Sequence, residues 1–193
     1  MVILEEFAVV SSSGVAMKLI TFAYDGARAS HAARWLMSRH GGTLDRIKLI
    51  KLVFLADRLH LARYGRPIVG GRYCAMAHGP VASELYDAIK EGKLSGVAEP
   101  IPPKLELSAM ADEDCLAESD VEVLKEINDQ YGPWDTFRLR DLTHRFVAWS
   151  KNHKGDKSSY PLPYEHFFDD LPAEDREMLD LIRETQEAEE ALG

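Results

Sequence analysis

The sequence predicts a mainly α fold, a compact helical domain around one central buried helix, with a single small β-hairpin or short sheet. Three observations lead there. The stretch "LDRIKLIKLVFLADRLHLARYG", residues 44–65, places apolar side chains in nearly every direction of a helical wheel, a pattern that suits a helix enclosed by others. Apolar residues recur at spacings of three and four in several segments before and after it. Between them lies "PIVGGRYCAMA", residues 67–77, which Pro67 excludes from helix and which reads as two short strands turning at Gly70 and Gly71.

Residues 1–17 read as a loosely determined N-terminal extension, with a second possible start at Met17, and residues 18–193 as one domain. From Ala27 to His40, the positions Ala29, Ala32, Ala33, Leu36 and Met37 line one helix face, and Gly41 and Gly42 end it. Thr43 is the expected N-cap of the central helix and Gly65 its C-terminal stop. Pro80 suits the first turn of a further helix running to Gly92, which would set His78 and Gly79 at a helix N-terminus, where free N–H groups favour an anion. Residues 96–115 read as an exposed loop or edge strand around "KLEL". Ser119 is the expected cap of "DVEVLKEINDQYG", and "DTFRLRDLTHRFVAWSKN" has the spacing of another helix. The chain closes on an acidic helix with Leu171, Met178, Leu181 and Ile182 available for docking.

Charge is distributed in blocks. Residues 18–93 hold thirteen Lys or Arg against six Asp or Glu, and residues 95–135 hold two against eleven. The alternation then repeats, with six against two over residues 136–164 and two against eleven over residues 165–193. The blocks are expected to neutralise one another in the fold. On the central helix, Lys48, Lys51 and Arg58 fall within roughly an 80° arc, a cationic stripe whose buried members would need acidic partners. A net charge of −9, with much of the positive charge on the inner helix, argues against a nucleic-acid partner.

Catalytic and metal chemistry find little support. The seven histidines are dispersed, with no HExxH, no CxxC and no paired H-x3-H spacing. Asp57 with His60 and Asp141 with His144 stand three residues apart and read as local hydrogen-bond pairs. Ser83 lacks the glycines of a nucleophile elbow, Cys74 has only His78 near it in sequence, and neither a P-loop nor GxGxxG occurs. No cofactor is expected, and an enzyme using His78 or His144 is the weaker alternative. Tyr131, Trp134, Phe137, Phe146 and Trp149 read as core aromatics, with partner-binding anchors as the alternative. Two cysteines, no basic leader ahead of "VILEEFAVV" and no run of about 18 apolar residues predict a cytoplasmic chain without a membrane partner.

Two blocks carry a resemblance. "KLIKLVFLADRLHLARYGRPIVGGRYCAMAHGPVASELYD" and, much later, "LRDLTHRFVAWSK" resemble the Panacea domain, also called the SocA-like antitoxin domain and associated with phage proteins. The matching features are Lys48, Leu49, Lys51 and Leu52, then Gly65, Arg66 and Pro67, then His78, Gly79, Pro80 and Val81, and finally Leu142, Thr143, His144 and Trp149. The resemblance implies a mainly helical antitoxin of a two-gene module that neutralises a cognate toxin encoded nearby by binding it. A proteolytic adaptor handing the toxin to a AAA+ protease, or a phage-associated regulator, is the alternative it leaves open. It also implies that Lys48, Lys51, Arg58, His78, Gly79, Pro80, Val81, Thr143, His144 and Trp149 belong to the partner surface or to its structural support.

Overall fold

A computed structural model of the chain describes residues 9–10, 16–17, 19–155 and 159–192. The N-terminal extension expected over residues 1–17 lies outside the described residues except for two strands, β1 (Val9–Val10) and β2 (Ala16–Met17), paired antiparallel. Helix α1 (Gly26–Ser38) follows, and the Asp25 carboxylate accepts from the Arg28 N–H at its start. Strand β3 (Thr43–Asp45) leads directly into α2 (Arg46–Tyr64), the central helix. Thr43 is therefore in a strand. The cap is Asp45, whose carboxylate accepts from the N–H groups of Ile47 and Lys48, so the short polar side chain does what the sequence assigned to Thr43 two residues early. The C-terminal stop is Gly65, which turns left-handed at φ 71° and donates its N–H to the Leu61 carbonyl.

Beyond α2 come β4 (Tyr73–Met76), β5 (Gly79–Ala82) and α3 (Ser83–Lys90), then β6 (Val97–Ile101) and β7 (Lys104–Leu107). The hairpin thus turns at Ala77 and His78, not at Gly70 and Gly71, and Pro80 lies within a strand three residues before the helix begins. Proline is tolerated there because β5 is an edge strand. The rest of the chain is α4 (Glu118–Tyr131), α5 (Thr136–His144), α6 (Val147–Ser150), β8 (Tyr160–Pro161), a 3-10 turn at Tyr164–Phe168 and α7 (Ala173–Leu192). "KLEL" is the middle strand of the antiparallel sheet β3-β7-β6, and β4 is the middle strand of β5-β4-β8. Two three-stranded sheets flank a mainly helical body, more β structure than the single hairpin expected, because short pairs of alternating residues leave a weak sequence signal.

The core forms around α2, where Leu49, Leu52, Phe54 and Leu61 have no exposed surface. The Phe54 ring meets Tyr73, Phe146 and Phe167 at centroid distances of 5.2–5.9 Å, a cluster that joins α2 to the hairpin and to the turn before α7. On α7, Ile182 is buried and Met178 packs against the core, whereas Leu181 stays 54% exposed and Phe137 on α5 is 68% exposed, contrary to their expected docking and core roles.

The charge blocks do meet. Basic side chains of α2 and the loop after it pair with the acidic blocks through Arg46–Glu99 at 2.8 Å, Arg63–Glu126 at 2.7 Å, Arg66–Asp120 at 2.8 Å and Arg58–Asp170. Asp120 is a hub: wholly buried, it receives Arg66, lies 3.4 Å from the Arg28 guanidinium and 3.1 Å from His60 Nε2, and accepts from the Ala117 N–H. Burial opposes its charge, but these donors together draw its pKa down to about 2. Ala117, not Ser119, is the α4 cap residue, and the Ser119 hydroxyl lies against His60 instead.

Candidate functional site

Helix α2 crosses behind the β4–β5 hairpin and lays its side chains against three separate parts of the chain. Lys51, 1% exposed, reaches the hairpin and donates from Nζ to the Pro80 carbonyl at 2.7 Å. Lys48 leaves the same face for the end of α4, where it donates to the Gly132 carbonyl at 2.7 Å. Arg58 turns toward the 3-10 turn, donating to the Phe167 carbonyl, pairing with Asp170 and covering the Phe146 ring at 4.5 Å. The cationic stripe thus divides into three anchors. Arg58 pairs with an acid, whereas the two lysines, for which acidic partners were expected, bond to carbonyls.

At the hairpin the two sequence blocks come together. His78 lies at the exposed turn, and Gly79 follows with φ 98°, a left-handed value that disfavours any Cβ. Space forbids one as well, since a Cβ there would lie 2.7 Å from Thr143 Oγ1 and 2.9 Å from Lys51 Nζ. Thr143, buried on α5, donates to the Arg140 carbonyl, which fixes the hydroxyl against the glycine. Pro80 faces Ala75 and Val81 faces Cys74 across the ladder. The next residues lock the hairpin from the other side. Trp149 donates its indole N–H to the Met76 carbonyl at 2.8 Å while its ring stacks with two imidazoles, His144 at 4.0 Å and 8° and His153 at 4.5 Å and 17°. Lys51, Gly79, Pro80, Thr143, His144 and Trp149 therefore form one contiguous cluster. His78 and Val81 border it, and Lys48 and Arg58 do not reach it.

A cleft of about 400 Å³ opens beside this cluster. Its lining comes from Arg46, Ile47, Ile50 and Lys51 of α2, from Met76, Ala77, His78 and Val81 of the hairpin, and from Tyr86 and Ser159. Arg46 pairs through Nη1 with Glu99, yet its Nε is buried without a partner. Burial pushes the Lys51 amine down to about 7, because its single acceptor is a carbonyl and carries no full charge. Burial also lowers the His144 pKa, with the Lys51 and Arg140 charges adding to the effect.

The expected anion site at a helix N-terminus is not formed, since His78 and Gly79 sit in a β-turn. Nor do the i,i+3 hydrogen bonds form among the described residues: Asp57 turns to the backbone of Ile68, Val69 and Gly70 and to the Tyr73 hydroxyl, His60 donates from Nδ1 to the Arg66 carbonyl, and Asp141 accepts from the Arg140 guanidinium and acts on His144 only through its charge. Cys74 is 3.2 Å from the Ser83 hydroxyl, its partner in place of His78. Sequence reasoning passed over Asp120 and His153, and read Asp57 only as a local partner of His60. Asp57 left a legible trace, an acid on a helix that is apolar all round. His153 left none, because its place in the ring stack depends on how α6 ends.

Among the described residues, no group of three or more His, Cys, Asp or Glu could hold a metal ion. No helix among them is long and apolar enough to cross a membrane. Compared with known protein families, residues 49–150 match the family described as antitoxin SocA-like, Panacea domain. This span contains the whole cluster from Lys51 to Trp149. No curated protein and no solved structure matches the chain.

Proposed function

The chain belongs to the SocA-like, Panacea-domain antitoxin family, with over half its length inside the match, and from that premise we propose that it neutralises a cognate toxin, encoded nearby, by binding it directly. The observation that carries this reading is the coincidence of the family match with the hairpin cluster. Lys51 of α2 donates to β5, Trp149 of α6 donates to β4 and Thr143 donates within α5, and a part-apolar cleft opens beside them at the surface. Such an arrangement supports a rigid recognition surface, because the groups around the cleft are held by packing and have little side-chain entropy left to lose on binding. The reading is one of binding without chemistry.

The test is growth of a host that expresses the neighbouring open reading frame from an inducible promoter, with and without this chain. Arrest that is relieved by the chain, together with co-elution of the two purified proteins, is the expected outcome. A harmless neighbour that does not bind would remove the reading. Neutralisation by binding further predicts an unchanged toxin half-life in the presence of the chain. A shortened half-life would replace it with delivery to a AAA+ protease.

A further inference from the structure

Resting on that reading, we propose that the cleft beside the His78–Gly79 turn receives a carboxylate carried on an apolar segment of the partner protein, and that Lys51 is the residue that binds it. Among the described residues, the lining supplies cations without anions: Lys51 and Arg46 both border the cleft, and none of the described lining residues is acidic. An ammonium has three donors, and Lys51 uses one, toward the Pro80 carbonyl. Among the described residues, no carboxylate pairs with it. Arg46 differs from it, since its Nη1 already pairs with Glu99 and only its Nε is buried and unpartnered.

A buried cation without a counter-charge is costly to hold, and an incoming carboxylate would supply both the charge and the acceptor that the fold omits. The other walls set the rest of the ligand. Ile47, Ile50, Met76 and Val81 offer apolar surface, and a volume of about 400 Å³ accommodates one anchoring side chain with its acidic neighbour. Gly79 keeps the amine in its place, because any side chain there would press on Nζ itself.

Among the described residues, the titratable and charged groups facing Lys51 or sharing its cleft are His144 from α5, Tyr86 from α3, and His78 and Arg46, none of which is a carboxylate. Burial therefore holds the amine down at about 7. An acid bound beside it favours the charged form, so binding takes up a proton and weakens as the pH rises above 7.

The experiment follows the Lys51 side chain of the full-length protein by NMR, using methylene-labelled lysine, while the pH is varied with and without N-acetylphenylalanine. The expected result is a Lys51 midpoint raised by at least one pH unit by the acid and unmoved by the matched amide, N-acetylphenylalaninamide. Equal effects of the two compounds, or no movement with either, would overturn the proposal, and this readout uses the unaltered protein. Adding the neighbouring gene product in place of the probe should raise the same midpoint, and Lys51→Met should weaken that complex at least tenfold at pH 7. A toxin that binds the Lys51→Met variant as tightly as the parent overturns the inference while leaving the antitoxin reading intact. An acid that binds while the neighbour does not removes the antitoxin reading and, with it, a protein as the source of the carboxylate.

Discussion

Lys51 and Asp57 lie six residues apart on α2, both essentially without exposed surface, and the fold treats their charges in opposite ways. Asp57 is surrounded by donors. Its two oxygens accept from the N–H groups of Ile68, Val69 and Gly70 at 2.9–3.1 Å and from the Tyr73 hydroxyl at 2.9 Å, which binds the loop after α2 into a fixed turn. Lys51 has one carbonyl. A saturated buried charge is a structural tie, and an undersaturated one beside a cleft keeps a valence for something outside the chain. Saturation does not abolish the cost, since burial still lifts the Asp57 pKa to about 6 against the lowering effect of its four donors.

The largest effect is expected from breaking the saturated side. Asp57→Ala strands three backbone N–H groups and a buried hydroxyl, at a cost of about 3–5 kcal/mol, or roughly 10 °C in a thermal melt followed by circular dichroism. The pH dependence has a definite sign. Between 3.8 and about 6 the unfolded Asp57 ionises while the folded one keeps its proton, so stability falls as the pH rises through that window and is flat above it. Asp57→Asn, which does not titrate, should lack that slope.

Lys51 should behave in the opposite sense. Below about pH 7 both states carry its proton and the full burial penalty stands. From about 7 to 10.5 only the unfolded chain holds the proton, so stability rises with pH, and above 10.5 the penalty is gone. Lys51→Met removes the charge at similar volume and should gain about 1–4 kcal/mol at pH 6, fading toward pH 10. Urea unfolding at the two pH values reads this directly, and equal stability of parent and variant at pH 6 would show the amine to be compensated after all.

Gly79→Ala sharpens the comparison from the hairpin side. A left-handed φ and a Cβ pressed on Thr143 and Lys51 predict a loss of about 1–3 kcal/mol, with N-acetylphenylalanine binding lost as well. The smallest effect belongs to Arg63→Ala, which removes a half-exposed ion pair with Glu126 at the far end of the same helix and should cost less than about 1 kcal/mol, screened further by salt. A larger loss there would mean that charge on α2 matters irrespective of burial.

The sequence by itself determined the elements whose causes lie within a few residues. The central helix with its Gly65 stop, α1 and the acidic last helix follow from periodicity, and the exchange of charge between blocks follows from their alternation, whereas "KLEL", read as an exposed loop or edge strand, is the middle strand of a sheet. Tertiary structure alone decided where the chain turns. Gly70 and Gly71 carry a stronger turn signal than Ala77 and His78, yet they lie in the loop bound to Asp57, an acid more than ten residues upstream, and leave the hairpin to form further on. Pro80 fits a helix start as well as an edge strand, and only pairing with Ala75 separates the two. The cluster itself was legible as a set of residues and not as a place. Lys51, Gly79, Thr143 and Trp149 meet because α5 and α6 pack against β5, and contacts across such separations are fixed by the closing of the whole core rather than by any local preference of the chain.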